Sequence, residues 1–332
     1  MKTNLPPDAW LFNVEKAPLF ATVTKEGETL SIPSNRRIAL VDTDAGEVVG
    51  VVGNDYRLFT NREAIDLCRE FCLEAFPDTK DSEWVFRAAH GPDSRSWVAM
   101  DLFHSSCAIN LGGGFATEDF TPFVRVTNSY NASRAVRLDV GFMRGMCSNG
   151  MIFSEEAAKI FASHTDEGIS RLKFSHPFEN MATLIKQFGE TVADVRAVDM
   201  TPDQGAEIAR RVIGWPVLTD KATFRQREGQ RVLDADLVAR RDRYFGELGA
   251  NAYAAFNLVT DFASHPPEGR RMRRDRPSLE RIAGAWLRSF RTAAKKPGFT
   301  VAGHIAELAS GDRSMGGTHS GASVHGSEGG LS

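Results

Sequence analysis

Between Pro122 and Phe142 the chain reads PFVRVTNSYNASRAVRLDVGF, and this stretch limits the fold more than any other. Val136, Leu138, Val140 and Phe142 alternate with Arg137, Asp139 and Gly141, while Val124 and Val126 alternate with Phe123, Arg125 and Thr127. A period of two belongs to an extended strand, whose successive side chains point to opposite sides. The link Asn128-Ser129-Tyr130-Asn131-Ala132-Ser133 is rich in side chains that bond their own backbone, which suits a turn. A long, half-buried hairpin is expected. Its polar face would carry Arg125 and Arg137, with Tyr130 in the turn.

Strand patterns recur upstream. Arg37–Val41 and Val48–Val52 flank Asp44-Ala45-Gly46-Glu47, a hairpin signal, and Trp84–Phe103 also reads as strand. Between them TNREAIDLCREFCLEAF switches to helical period. Thr60 and Glu63 form a capping box there, and Ile65, Cys68, Phe71, Cys72 and Ala75 share one face. Beyond Ser154 the candidates are all helices: Glu155–Ser163, Phe178–Val198, Pro202–Ile213, Leu233–Leu248, Ala250–Ser264 and Pro277–Ala294. Thr201-Pro202 supplies a cap followed by proline at the first helical position. The expected class is α+β: an antiparallel sheet with a long central hairpin, then a helical C-terminal region. Three regions are expected: a mainly β part over 1–153 with one helix, a mainly helical part over 154–310 packed on it, and a Gly/Ser-rich tail over 311–332. The tail holds too little apolar surface to order itself.

Composition narrows the function classes. With 42% apolar and 25% charged residues the chain can bury a core without staples. Four cysteines are too few and too scattered for a disulfide framework. The first residues lack the apolar run of a signal peptide, and no stretch approaches the ~20 apolar residues of a membrane span. The expected location is cytoplasmic, with no membrane partner. No metal site and no cofactor are expected. Asp261 and His265 have ligand-like spacing, but one such pair is common by chance. Gly112-Gly113-Gly114 lacks the lysine and hydroxyl of a phosphate loop.

Net charge is only −3, so any affinity for nucleic acid has to be local. Residues 268–297 hold ten Lys/Arg against three acids, a local +7. Leu279, Ile282, Ala283, Trp286 and Phe290 form an apolar stripe, and Arg281, Arg288 and Lys295 recur every seven residues on another face. Arg270, Arg271, Arg273, Arg274 and Arg276 precede that ridge. Phosphate neutralisation is one reading of this segment. A solvated face answering acids elsewhere is the other. The Arg125, Arg137 and Tyr130 face divides the same way: a platform for single-stranded nucleic acid, or a pair in which Asp139 answers Arg125 across the strands.

Four stretches carry a resemblance. NDYRLFTNREAI, VRVTNSYNASRAVRLDVGFMRGMCSNGMIF, NAYAAFNLVTDFASH and LERIAGAWLRSF, in that order, are similar to segments of a phage- and plasmid-like family catalogued as domain of unknown function 932. The resemblance implies a mobile-element origin and hands over no catalytic residues. It draws attention to Asn128, Asn131, Arg144, Cys147 and Asn149, the polar positions of its most recognisable block. A guanidinium at Arg144, ending an apolar strand face, has to be paired or bound to something. The resulting expectation is a non-catalytic nucleic-acid-binding protein, acting on single-stranded DNA in replication or recombination and assembling with itself. Two alternatives stay open: a factor that binds a host or element-encoded protein, as in counter-defence, and an enzyme built around Arg144, Cys147 and Asn149.

Overall fold

The computed structural model describes residues 5–25, 28–105, 109–110, 119–144, 149–153, 161–173, 181–215, 218, 220–267 and 274–311. Three antiparallel strands open the chain, β1 (Val14–Lys25), β2 (Glu28–Asp42) and β3 (Glu47–Gly53), in that spatial order. The β2–β3 turn falls at Asp42–Glu47, as the hairpin signal required. Helix α1 (Asn61–Ala75) follows with the predicted capping box at Thr60 and Glu63, and Ile65, Cys68, Phe71, Cys72 and Ala75 are all buried.

The second sheet is built from β4 (Trp84–His90), β5 (Trp97–His104), β6 (Ile109–Asn110), β7 (Asp119–Ser129), β8 (Val136–Arg144), β9 (Asn149–Ile152) and β10 (Phe161–Ala162). Its order is β10-β8-β7-β5-β4, with β6 paired to β7 and β9 to β8. The central hairpin is β7–β8, and Arg125 stands opposite Asp139 in its register, but the two do not answer each other: Arg125 bonds Asp101 and Glu280, and Asp139 accepts from Arg137 and Arg281. One expectation needs correcting. The hairpin is not half-buried, because both faces are covered. Val124, Val126, Val136, Leu138 and Val140 pack with α1, while Arg125 and Asp139 on the other face are also buried. Alternation reports which face is apolar; it does not report whether the polar face meets water or a helix.

The helices are α2 (Asp166–Lys173), α3 (Met181–Arg196), α4 (Pro202–Ile213), α5 (Phe224–Leu248), α6 (Ala252–Ser264), α7 (Arg276–Ala294) and α8 (Val301–Gly311). The Thr201-Pro202 start of α4 is confirmed, with Gly214 closing it in the left-handed conformation. α5 begins nine residues before the expected Leu233 (233 − 224). The helix expected over Glu155–Ser163 lies partly outside the described residues, and Phe161–Ala162 inside that span is strand, paired to β8. The tail beyond Gly311 lies outside the described residues.

α6 is the hub. All thirteen of its residues are buried, because AYAAFNLVTDFAS is apolar nearly all round and suits only a central position. It joins α3, α4, α5 and α7 in one apolar core with Phe142, Met151 and Phe153 from the sheet. α7 closes onto β9 at Gly284, where an added Cβ would sit 1.6 Å from the Ile152 carbonyl oxygen. That oxygen is backbone and cannot swing aside. Gly284→Ala is expected to cost about 1–3 kcal/mol by overpacking, read as a lower urea midpoint. An unchanged midpoint would mean that α7 is not seated on β9.

Candidate functional site

Most of the described arginines nominated by the sequence are held by acids of the same chain. Arg125, 1% exposed, forks onto Asp101 (Nε–Oδ1 2.5 Å, Nη2–Oδ2 2.6 Å) and reaches Glu280 of α7 with Nη1 (2.6 Å). Glu280 Oε1 also accepts from Arg276 Nε at 2.8 Å and lies 3.0 Å from Ser264 Oγ. Ser264 Oγ in turn accepts the Gly150 N–H at 3.0 Å. Asp139, fully buried, accepts from Arg137 Nε (2.8 Å) and Arg281 Nη2 (2.7 Å). His90 Nε2 stands 3.7 Å from Asp101. The sheet's polar face and α7 thus share a charged layer.

Electrostatics keep that layer ionised. Burial pushes Asp101 and Glu280 upward, but the Arg125 guanidinium outweighs it and holds both carboxyls below their ordinary values, Asp101 far below. Burial disfavours the charged Arg125, and the two carboxylates more than reverse that.

This arrangement removes most of the proposed contacts. Arg125 is enclosed because its polar neighbours are Asp101 and Glu280, not solvent. Tyr130 is 1% exposed and does not face solvent from the turn: its hydroxyl accepts the Asn61 N–H at 2.9 Å, and its ring packs with Phe12 and Tyr56. The ridge on α7 is anchored along its length. Arg281 binds Asp139, Arg288 Nη1 donates to the Phe153 carbonyl, and Lys295 shares Asp194 with Arg291 (2.7 and 2.6 Å). Asp275, the α7 cap, takes Arg134 at 2.7 Å. Of the two readings of the α7 ridge, the one that answers acids elsewhere describes these arginines. Arg270, Arg271 and Arg273 lie outside the described residues, and Arg274 is half-buried beside Gly214.

The family-block residues have structural places. Asn128, fully buried, donates from Nδ2 to the Phe59 carbonyl (2.8 Å) and Asn61 Oδ1 (2.9 Å). Its Oδ1 therefore accepts, so His164, 2.8 Å away, donates from Nε2. Asn131 Oδ1 accepts the Ser133 N–H in the turn. Arg144, buried, donates from Nη1 to Asn257 Oδ1 of α6 at 3.2 Å. Asn149 opens β9 opposite Arg144, and Cys147 lies outside the described residues.

A surface cleft of about 400 Å³ remains at the end of α6, lined by Asp236, Ala239, Arg240, Arg243, Asp261 and His265. Asp261 is 8% exposed and collects three cationic or imidazole donors: Arg243 (2.8 Å), Arg240 (3.4 Å) and His265 Nδ1 (3.0 Å). Burial raises its carboxyl, but the His265 bond and the two guanidiniums bring it below its ordinary value. Arg240 also grips Asp236 and lies over the Phe262 ring at 4.4 Å, and Arg243 lies over Tyr244 at 4.5 Å. Each guanidinium thus meets both a ring and a carboxylate. The Asp261/His265 spacing makes a hydrogen bond, and no group of three or more metal-ligating side chains forms among the described residues. Sequence reading overlooked Arg240 and Arg243, although the run Arg240-Arg241-Asp242-Arg243 was the available signal.

A family model described as a domain of unknown function, number 932, matches residues 48–286. The chain belongs to that family. The match takes in α1, the whole seven-stranded sheet, the charged layer and the cleft, and it leaves β1, β2 and α8 outside. No curated protein and no solved structure is detectably similar to this member of the family. No helix among the described residues is long and apolar enough to cross a membrane.

Proposed function

We propose that this protein binds nucleic acid without catalysing a reaction on it, and holds the phosphate backbone at this cleft through Arg243, the more exposed of its two arginines. One observation carries the reading. The cleft opens where α6 ends at His265, and from there the chain runs into the arginine-rich segment 270–274. Guanidiniums placed over aromatic rings suit phosphate oxygens, and four further arginines follow within nine residues of His265 in the sequence (274 − 265). α5 extends the surface. Arg225 precedes Arg243 by 18 residues (243 − 225), five full turns, so both lie on one line of the helix about 27 Å apart.

Contacts of this kind read backbone, not sequence. Single-stranded DNA of a mobile element is the partner we favour. The test is fluorescence anisotropy of labelled single- and double-stranded oligonucleotides over a salt series. Affinity is expected to fall linearly in log–log form, with a slope of about −0.7 per phosphate on single strands. Replacing Arg243, Arg270, Arg271, Arg273 and Arg274 with glutamine should flatten the slope by roughly one per lost phosphate contact. Arg281→Gln, in the charged layer, should leave the slope unchanged. Absence of binding at low salt overturns the proposal.

A further inference from the structure

β1 and β2 continue well past the body of the protein. Their pairing breaks between Pro18 and Phe20 on one strand and between Ile38 and Pro33 on the other, leaving Ser34–Arg37 as an irregular corner. β3 pairs only with Arg37–Asp42. Beyond the corner, Phe20–Lys25 and Glu28–Pro33 form a two-stranded ribbon about 20 Å long, and every described residue in it is exposed.

The register sorts the ribbon into two faces. Ala21 pairs with Ile32, Val23 with Leu30 and Lys25 with Glu28, so these share one face. Phe20–Pro33, Thr22–Ser31 and Thr24–Thr29 make the other. The first face is apolar up to its tip, with Val23 46%, Leu30 49% and Ile32 50% exposed. A lone two-stranded ribbon is marginal in water. Pro33 blunts one edge against strand addition, and the apolar face is the larger surface left to cover.

Charge selects the occupant. The tip sequence Lys25-Glu26-Gly27-Glu28 sums to −1, while the base, with Glu15, Lys16, Arg36 and Arg37, sums to +2. Two ribbons packed face to face around a two-fold axis place each tip over the other's base, acid against base. A parallel arrangement sets like charge on like. We infer that the ribbon is a self-association arm, and that its apolar face packs against the same face of a second copy of this chain, antiparallel. Both strands of the arm lie outside the family-matched segment, so the inference is independent of the nucleic-acid reading. A face of about 20 × 10 Å is well under the ~800 Å² per partner of a stable complex, so the association is concentration-dependent.

Sedimentation velocity of the full chain, freed of nucleic acid and run from micromolar to millimolar concentration, tests this. Wild type is expected to shift from monomer to dimer as concentration rises. Val23→Thr with Leu30→Thr and Ile32→Thr should remove the shift while leaving the thermal midpoint in place, since these side chains belong to none of the buried apolar clusters. Two charge variants then decide the geometry. Arg36→Glu with Arg37→Glu makes the base acidic, and Glu26→Lys with Glu28→Lys makes the tip basic. Each variant alone should stay monomeric, and an equimolar mixture should associate again. A wild type that is monomeric throughout overturns the inference. So does a dimer that all three variants leave intact, or a mixture that fails to associate.

Discussion

Arg125→Met is expected to lower the unfolding free energy by about 3–5 kcal/mol, the penalty for breaking a buried ion pair from one side. The change leaves Asp101 and Glu280, 2% and 0% exposed, without the guanidinium that neutralises both. The penalty has a pH signature. In the wild type both carboxyls titrate below their ordinary values, so their stabilising contribution is present above the ordinary carboxylate range and is lost as pH falls through the lowered values. In the variant burial acts unopposed by Arg125 and the carboxyls protonate earlier. The gap between the two proteins should therefore narrow as pH is lowered from 7 towards 4. Urea denaturation across that range measures it. A penalty below about 1 kcal/mol would mean that solvent reaches this layer. Replacing Arg125, Asp101 and Glu280 together by apolar residues should recover much of the loss, because what costs is the unpaired charge, not the absence of the pair.

Acidification should also expose His164. Burial lowers its pKa from 6.5 to about 4, and it sits neutral between Asn128 and the Tyr56 ring, stacked at 4.7 Å. The unfolded chain binds a proton there that the folded chain refuses. Stability from this group is thus complete above about pH 6.5 and drains away as pH falls through the window down to about 4. That window is worth up to about 3 kcal/mol. His164→Gln keeps a donor for Asn128 Oδ1 and removes the titration. Its urea midpoint should fall less steeply between pH 7 and 4 than the wild type's. Parallel pH profiles would show that His164 is not held neutral by the fold. The effect reaches the family block, since Asn128 links His164 to Asn61 at the start of α1.

The two expectations sit on residues that the sequence displayed with very different clarity. Alternation from Val124 to Phe142 announced β7 and β8, because a period of two fixes which side chains share a face. Thr60 with Glu63, and Thr201 with Pro202, announced helix starts because capping is a local event among neighbours in the chain. α6 was legible as a helix over Ala250–Ser264, but its place at the centre of the core was not read from the sequence. The arginines were visible too, but their role was not. A charge run looks alike whether it meets water, phosphate or a buried acid.

What answers Arg125 comes from Asp101, 24 residues upstream, and Glu280, 155 residues downstream. No local period encodes such a pairing, since it exists only once α7 lies across the sheet. The cleft is of the same kind, assembled from α5 and α6 by their packing. The amino-acid sequence alone determined the α+β class, the central hairpin, most helix positions and the family. Only the tertiary structure decided that the polar face of the hairpin is an interior, and that the α7 ridge is spent on holding the molecule together. It also left open surface at the α5–α6 cleft and along the β1–β2 arm. The physical reason is range: backbone periodicity and capping act over a few residues, whereas desolvation of a charge depends on everything that packs around it.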